Sequence, residues 1–176
     1  MALDSDNVRV AVTGAVYVAP SGTTLPTHAS QALNVAFEDV GYISEDGVTE
    51  SQASDTTDIK AWQNSAIVRK VQTSHDLTYQ FTMIETNGTA LELFYGNYAA
   101  GAIEVDGALS DRQCMVLDVV DGSELLRVVA PAAQVTDRGD VSYTSGDAVG
   151  RQVTVTCYPD DSGIKAYIYL TEDSGT

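Results

Sequence analysis

The residues that could do chemistry in this chain are a serine, a histidine and an aspartate in succession, a few scattered metal-ligating groups and two recognition tripeptides. Ser74-His75-Asp76 contains the groups of a hydrolytic triad. Nucleophilic catalysis needs a base within reach of the hydroxyl and a third group that orients the base. Adjacent residues of a strand point to opposite faces, so His75 and Asp76 would not share a proton network. No Gly-x-Ser-x-Gly elbow occurs either. His28, His75, Cys114 and Cys157 lack the local spacing of a tetrahedral zinc set, and neither Asp4-Ser5-Asp6 nor Asp160-Asp161 opens a twelve-residue calcium loop. Gly96 and Gly101 stand alone, with no buried strand before them and no helix after them, so no phosphate loop is present. No cofactor and no enzymatic activity are expected.

The tripeptides have plainer readings. Arg138-Gly139-Asp140 matches an integrin-recognition sequence, but a glycine between two charged residues is ordinary turn chemistry. Asn87-Gly88-Thr89 fits a glycosylation sequon, and it also fits the start of a helix, with Asn87 or Thr89 as the cap. Met1 to Asp6 has no basic region followed by an apolar run, so no secretory route is expected and capping is the preferred reading. No run approaches the ~18 apolar residues that a bilayer span requires, so no membrane partner is expected.

The elements that must position these groups read mostly as strands. At 176 residues the chain fits one domain, which would bury about 70% of the surface its unfolded form exposes. Leu77 to Met83 alternates strictly, with Leu77, Tyr79, Phe81 and Met83 on one face and Asp76, Thr78, Gln80 and Thr82 on the other. Further strands are expected at 8–12, 15–19, 67–71, 113–120, 124–129, 134–135, 141–144, 152–158 and 165–170. Asp121-Gly122 predicts a type I′ hairpin. Leu91, Phe94, Tyr95 and Tyr98 fall at i, i+3, i+4 and i+7, one face of a short helix that needs a sheet to pack against. The result is a mainly β fold, a β-sandwich or barrel-like sheet with one short flanking helix and several open strand edges.

Two regions resist that pattern. Residues 1–35 read as an N-terminal arm and loop, with Gly22, Pro26 and many Ser and Thr between Ser21 and Gln31. Residues 44–62 read as a long loop, acidic at Glu45, Asp46, Glu50, Asp55 and Asp58, with a strand at Val48 to Ser51 as the alternative. The sole tryptophan, Trp62, ends that stretch, either folded back on its own sheet or serving as an anchor in a neighbouring subunit. Acids outnumber bases 25 to 9, a formal charge of −16, which disfavours binding to nucleic acid phosphates. Cys114 and Cys157 read as buried free thiols.

Val40-Gly41-Tyr42-Ile43-Ser44-Glu45-Asp46-Gly47-Val48-Thr49-Glu50, Ile59-Lys60-Ala61-Trp62-Gln63, Leu77 to Glu85 and Val153-Thr154-Val155-Thr156-Cys157-Tyr158-Pro159 form a combination that resembles the major tail proteins, or tail tube subunits, of long-tailed, non-contractile bacteriophages. The likeness is nearest to those of phages that infect actinobacteria and runs from Val8 to Leu170. It implies a structural virion protein, made in the host cytoplasm, whose homohexameric rings stack into a tube. Its other partners would be a tape-measure protein and tail-tip and terminator proteins, and DNA would pass through without specific binding. Some family members carry an appended immunoglobulin-like domain, which is not expected here.

Six copies at −16 each give a formal charge of −96, enough to disfavour phosphate contact in an acidic, non-adhesive bore. The candidate lumen-facing residues are Asp76, Thr78, Gln80, Thr82, Asp118 and Thr154, with Gln152 and Thr156 beside Thr154. Glu45, Asp46, Val48, Ile59 and Trp62 are the candidate inter-subunit contacts, together with the N-terminal arm. The alternative reading is an extracellular β-sandwich that binds a carbohydrate or cell-surface ligand.

Overall fold

The computed structural model describes residues 8–99, 101–105 and 107–171. The elements run β1 (Thr13–Pro20), β2 (Glu38–Asp39), β3 (Ile43–Lys60), β4 (Ile67–Met83), α1 (Gly88–Tyr95), β5 (Asn97–Ala99), β6 (Ala102–Glu104), β7 (Gln113–Asp121), β8 (Glu124–Arg138), β9 (Arg151–Tyr158) and β10 (Tyr167–Leu170). The fold is mainly β and antiparallel with one short helix, as the alternation predicts.

Strand pairing follows the order β2-β1-β7-β8-β9-β4-β3, with β10 also on β8. β8 belongs to two layers. Its first half pairs with β7 on one side and β10 on the other, and its second half pairs with β9. Pro131 sits where the ladder with β7 shifts register, a place where its missing N–H costs nothing. The Cys114 thiol donates to the Pro131 carbonyl there, at 3.3 Å.

One core joins both layers. Leu77, Tyr79, Phe81 and Met83 of β4 pack with Val153, Val155 and Cys157 of β9, and with Val16 and Val18 of β1, Met115 and Leu117 of β7, and Val128 and Ala130 of β8. The expected apolar face of β4 is therefore the observed one. α1 adds Ala90, Leu93 and Phe94 to this core, and the Asn87 side chain caps it by accepting from the Ala90 N–H at 2.7 Å. The helix stops at Gly96, whose φ of 108° suits glycine, so Tyr98 belongs to β5 rather than to the helical face.

Several expected boundaries move. Residues 8–12 and 141–144 form no strand, whereas β4 continues unbroken through 67–83 and β8 through 124–138. In the β7–β8 turn Asp121 pairs with Glu124, so Gly122 and Ser123 are central and only Gly122 has positive φ, the pattern of a type II′ turn rather than I′.

The larger correction concerns residues 44–62, which are not a loop. They form most of β3, laddered to β4 from Val48↔Phe81 to Lys60↔Ile67. Backbone pairing to a long partner orders a sequence whose acidic, Ser- and Thr-rich composition has no strand period of its own.

Part of the expected arm is also held down. Pro26 and Ala29 are buried, and Gln31 accepts from Arg127 Nη1 at 2.5 Å. On the outer face of the first layer Ala19, Cys114, Val116 and Val129 are buried, apolar surface that gains by being covered. Residues 1–7 of the arm lie outside the described residues.

Candidate functional site

The hydrolase reading fails on geometry. Ser74 Oγ donates to Asp55 Oδ2 at 3.0 Å, while His75 lies opposite Ser54 and Asp76 opposite Ala53, on different faces of the hairpin. Among the described residues no group of His, Cys, Asp and Glu is placed to hold a metal. Both cysteines are free and buried. Burial pushes the Cys157 thiol up to about 12, with Lys165 opposing and Glu50 adding, so it is a poor nucleophile.

Two surfaces remain, and both are built by β3 and β4. The first is the outward face of the second layer. Ser51, Thr78, Thr156 and Gln134 form one row across β3, β4, β9 and β8, Thr49, Gln80 and Thr154 form the next, and Thr82 pairs with Gln152. Gln80 Nε2 donates to Thr154 Oγ1 at 3.3 Å, and the hydroxyls of Thr136 and Thr156 lie 2.7 Å apart. These are the candidate lumen residues Thr78, Gln80, Thr82 and Thr154, brought side by side because alternation turns the opposite residues into the core.

Two of the acids belong to this face and a third does not. Asp76 lies at the margin of this face, 3.8 Å from Lys165, and Asp137 pairs opposite Thr154. Asp118 is not on it. Its two oxygens accept from Arg127 Nε and Nη2, each at 2.7 Å, on the covered face of the first layer. The second-layer face is thus rich in hydroxyls and amides, with Asp137 and, at its margin, Asp76 as its acids.

The second surface is the hairpin itself. β9 pairs with β4 only over Leu77–Met83, so the part of the hairpin distal to it is a two-stranded ribbon. Register shifts at Asp55/Thr56 and Ile59/Lys60 mark bulges in it. At its tip the Ala61 N–H donates to the Ala66 carbonyl at 2.8 Å, and Asn64 and Ser65 take positive φ.

Trp62 sits there 98% exposed, so it is not folded back on its own sheet, and Ile59, Ile67 and Val68 are exposed around it. Glu45 and Asp46 stand exposed at the other end of β3, and Val48 packs partly against the core. Sequence reasoning missed the projecting ribbon. Its signal was present in Gln63-Asn64-Ser65 between two runs with β-branched residues, since asparagine tolerates the left-handed region.

No helix among the described residues is long and apolar enough to cross a membrane. No curated protein matches the chain closely enough to count as a relative. Among solved structures, the sheath/tube terminator of an extracellular contractile injection system, PVC, in its extended state is similar at 12% identity and a TM-score of 0.55, over 94% of this chain and 99% of that one. The tube-terminating cap of the anti-feeding prophage aligns at 13% identity and a TM-score of 0.52, over 97% and 100%. A chain of the PVC sheath-tube complex aligns at 11% identity and 0.50, over 89% and 88%. At such identities these likenesses speak to the fold. The family model described as phage tail tube protein, however, matches residues 1–176. The chain belongs to the phage tail tube protein family, and it is a structural protein rather than an enzyme.

Proposed function

We propose that copies of this chain close into homohexameric rings that stack into the tube of a long, non-contractile tail, around a tape-measure protein at first and around ejected DNA later. The observation that carries this reading is the open sheet. At one end of the strand order β3 offers an 18-residue edge with no partner strand among the described residues, and at the other β1 is covered only by the two-residue β2. Long uncovered edges invite pairing with another chain, and closing a sheet into a barrel removes them. Joining β3 of one copy to β1 of the next would run the second layer of one copy into the first layer of its neighbour and so carry the sheet around the ring.

The wall of the bore would be the Thr78, Gln80, Thr82 and Thr154 face, and its low adhesion to DNA would come from neutral hydroxyls and amides with Asp137 among them and Asp76 at the margin. Phosphate binding needs clustered cations, which this face does not hold. The exposed Trp62 tip, with Ile59, would reach the neighbouring ring. The segment from Val40 to Glu50 supports an affinity with the non-contractile tails of actinobacterial phages, and tail-tip and terminator proteins would close the two ends. Virion location follows from the same reading. The family match across the whole chain leaves the carbohydrate-binding alternative without support.

Negative-stain microscopy of the concentrated protein, with and without tail-tip initiator, tests the proposal. Tubes built of six-subunit rings are expected, and Trp62→Ala is expected to abolish stacking while leaving the thermal midpoint of the monomer unchanged. Persistent monomers under every condition would sink it.

A further inference from the structure

The charges of this molecule are sorted by position. Arg9 pairs with Glu124 at 3.2 Å, Lys70 with Asp58 at 3.4 Å, Arg127 with Asp118 at 2.7 Å and Lys165 with Asp76 at 3.8 Å. Arg138 donates to the Phe94 carbonyl and to Ser110 Oγ, Arg151 donates to Thr86 Oγ1, and the Arg112 guanidinium lies 4.2 Å from the centre of the Tyr158 ring. Among the described residues only Lys60 and Arg69 meet no acid, hydroxyl or ring. Both are exposed at the tip of the hairpin, and the run from Ile59 to Val71 contains Lys60, Arg69 and Lys70 without a single acid. In a chain of formal charge −16, the uncommitted cations and the exposed indole share one tip.

The complement lies at the other end of the same strand. A groove of about 680 Å³ runs between the start of β1 and the start of β3. Its walls include Val12, Tyr42 and Val48, its acids are Asp39, Glu45 and Glu85, and no Lys, Arg or His lines it. Asp39 and Glu85 are held in place by accepting from the Gly41 and Tyr42 N–H groups, and Glu45 is exposed. A second groove of about 750 Å³ beside α1 also has acids, Glu38, Glu92 and Asp111, but it includes the cation Arg112.

We infer that the Lys60–Trp62–Arg69 tip of one copy docks in the Tyr42–Glu45–Glu85 groove of a second copy, the indole on the apolar wall and the two cations against the carboxylates. This rests on the reading of the hairpin tip as a contact between rings and names the surface it meets. β3 begins at the groove and ends at the tip, about 55 Å away at strand rise. Tip and groove are different surfaces, so the contact is head-to-tail and propagates rather than closing a pair. Opposite charges across such an interface fix its register and speed its encounter, and salt weakens both effects.

The test is a charge swap in the full-length protein, read as the yield of sedimentable tubes at about 0.05 M salt. The Lys60→Glu/Arg69→Glu double variant should lower the yield about tenfold or more, and Lys60→Glu and Glu45→Lys alone should each lower it in part. Combining Lys60→Glu with Glu45→Lys should recover most of the loss, because that pair of charges is exchanged while Arg69 still faces Asp39 and Glu85. All of these positions are exposed, and far-UV circular dichroism should show native monomers throughout. If Trp62→Ala blocks assembly while the double variant assembles like the wild type, the tip remains a contact and the docking groove proposed here is wrong. If Trp62→Ala also assembles normally, both readings fail. A Lys60→Glu/Glu45→Lys combination that recovers nothing overturns the pairing. A photo-reactive benzophenone residue placed at position 62 gives an independent check, since it should crosslink to the peptide around Tyr42 to Val48 of another copy. Crosslinks to the groove beside α1 would overturn the assignment.

Discussion

The Tyr79 hydroxyl donates to Glu50 Oε2 at 2.9 Å from a ring that is almost wholly buried. Burial raises its pKa above the ordinary phenol value of 10.0, and the hydrogen bond to Glu50 raises it further. In the same core, Cys157 rises from 9.0 to about 12, chiefly through burial. Both groups hold their protons more tightly folded than unfolded, so their contribution to stability is intact below the unfolded values. It is lost as pH climbs through them toward the folded values. Urea unfolding should therefore give a flat free energy from neutral pH to about 9 and a falling one above it. The Tyr79→Phe/Cys157→Ala double variant should be less stable at neutral pH and should show a shallower alkaline slope. Residue-scale reasoning from sequence found Tyr79 as core and both cysteines as buried thiols, because alternation and apolar neighbours announce burial. It did not find that Asp118 is occupied by Arg127, since the β7–β8 register that sets them opposite each other is a property of the pairing.

At the scale of elements, β3 and β4 divide into an inner and an outer half. The inner half is laddered to β9 and underlain by the core, whereas the outer half is a ribbon of two strands, which alone in water is marginal. In the free chain, amide hydrogen exchange should be on the order of a hundredfold faster over 67–73 than over 77–83, and the difference should narrow in assembled tubes. Equal protection of the two halves in the free chain would show that the ribbon has support of its own. This element was the least legible in the sequence. Leu77 to Met83 announced itself because burial on one face imposes a period of two, but Ser51 to Lys60 has no buried face and so carries no period. Its strand character comes entirely from its partner. The opposite error arose at 141–144, where an apolar and polar mixture has no neighbour to pair with and stays irregular.

At the scale of the molecule, the only tryptophan reports on assembly without any label. Trp62 is 98% exposed in the single chain, so its emission should be that of an indole in water, and it should shift to the blue as tubes form. An unchanged spectrum in finished tubes would mean that the tip still meets solvent. The overall class, antiparallel and mainly β with one flanking helix, was readable from alternation and turn residues. The strand that joins the two layers was not, because it reads in the sequence as two short ones broken near Pro131. That strand has a mechanical meaning. β8 is a full member of both layers, laddered to β7 and β10 over one half and to β9 over the other. A pull along its axis loads those ladders in shear, many hydrogen bonds at once, instead of peeling them singly. The two layers therefore share a tensile load through the covalent backbone as well as through the packing between them.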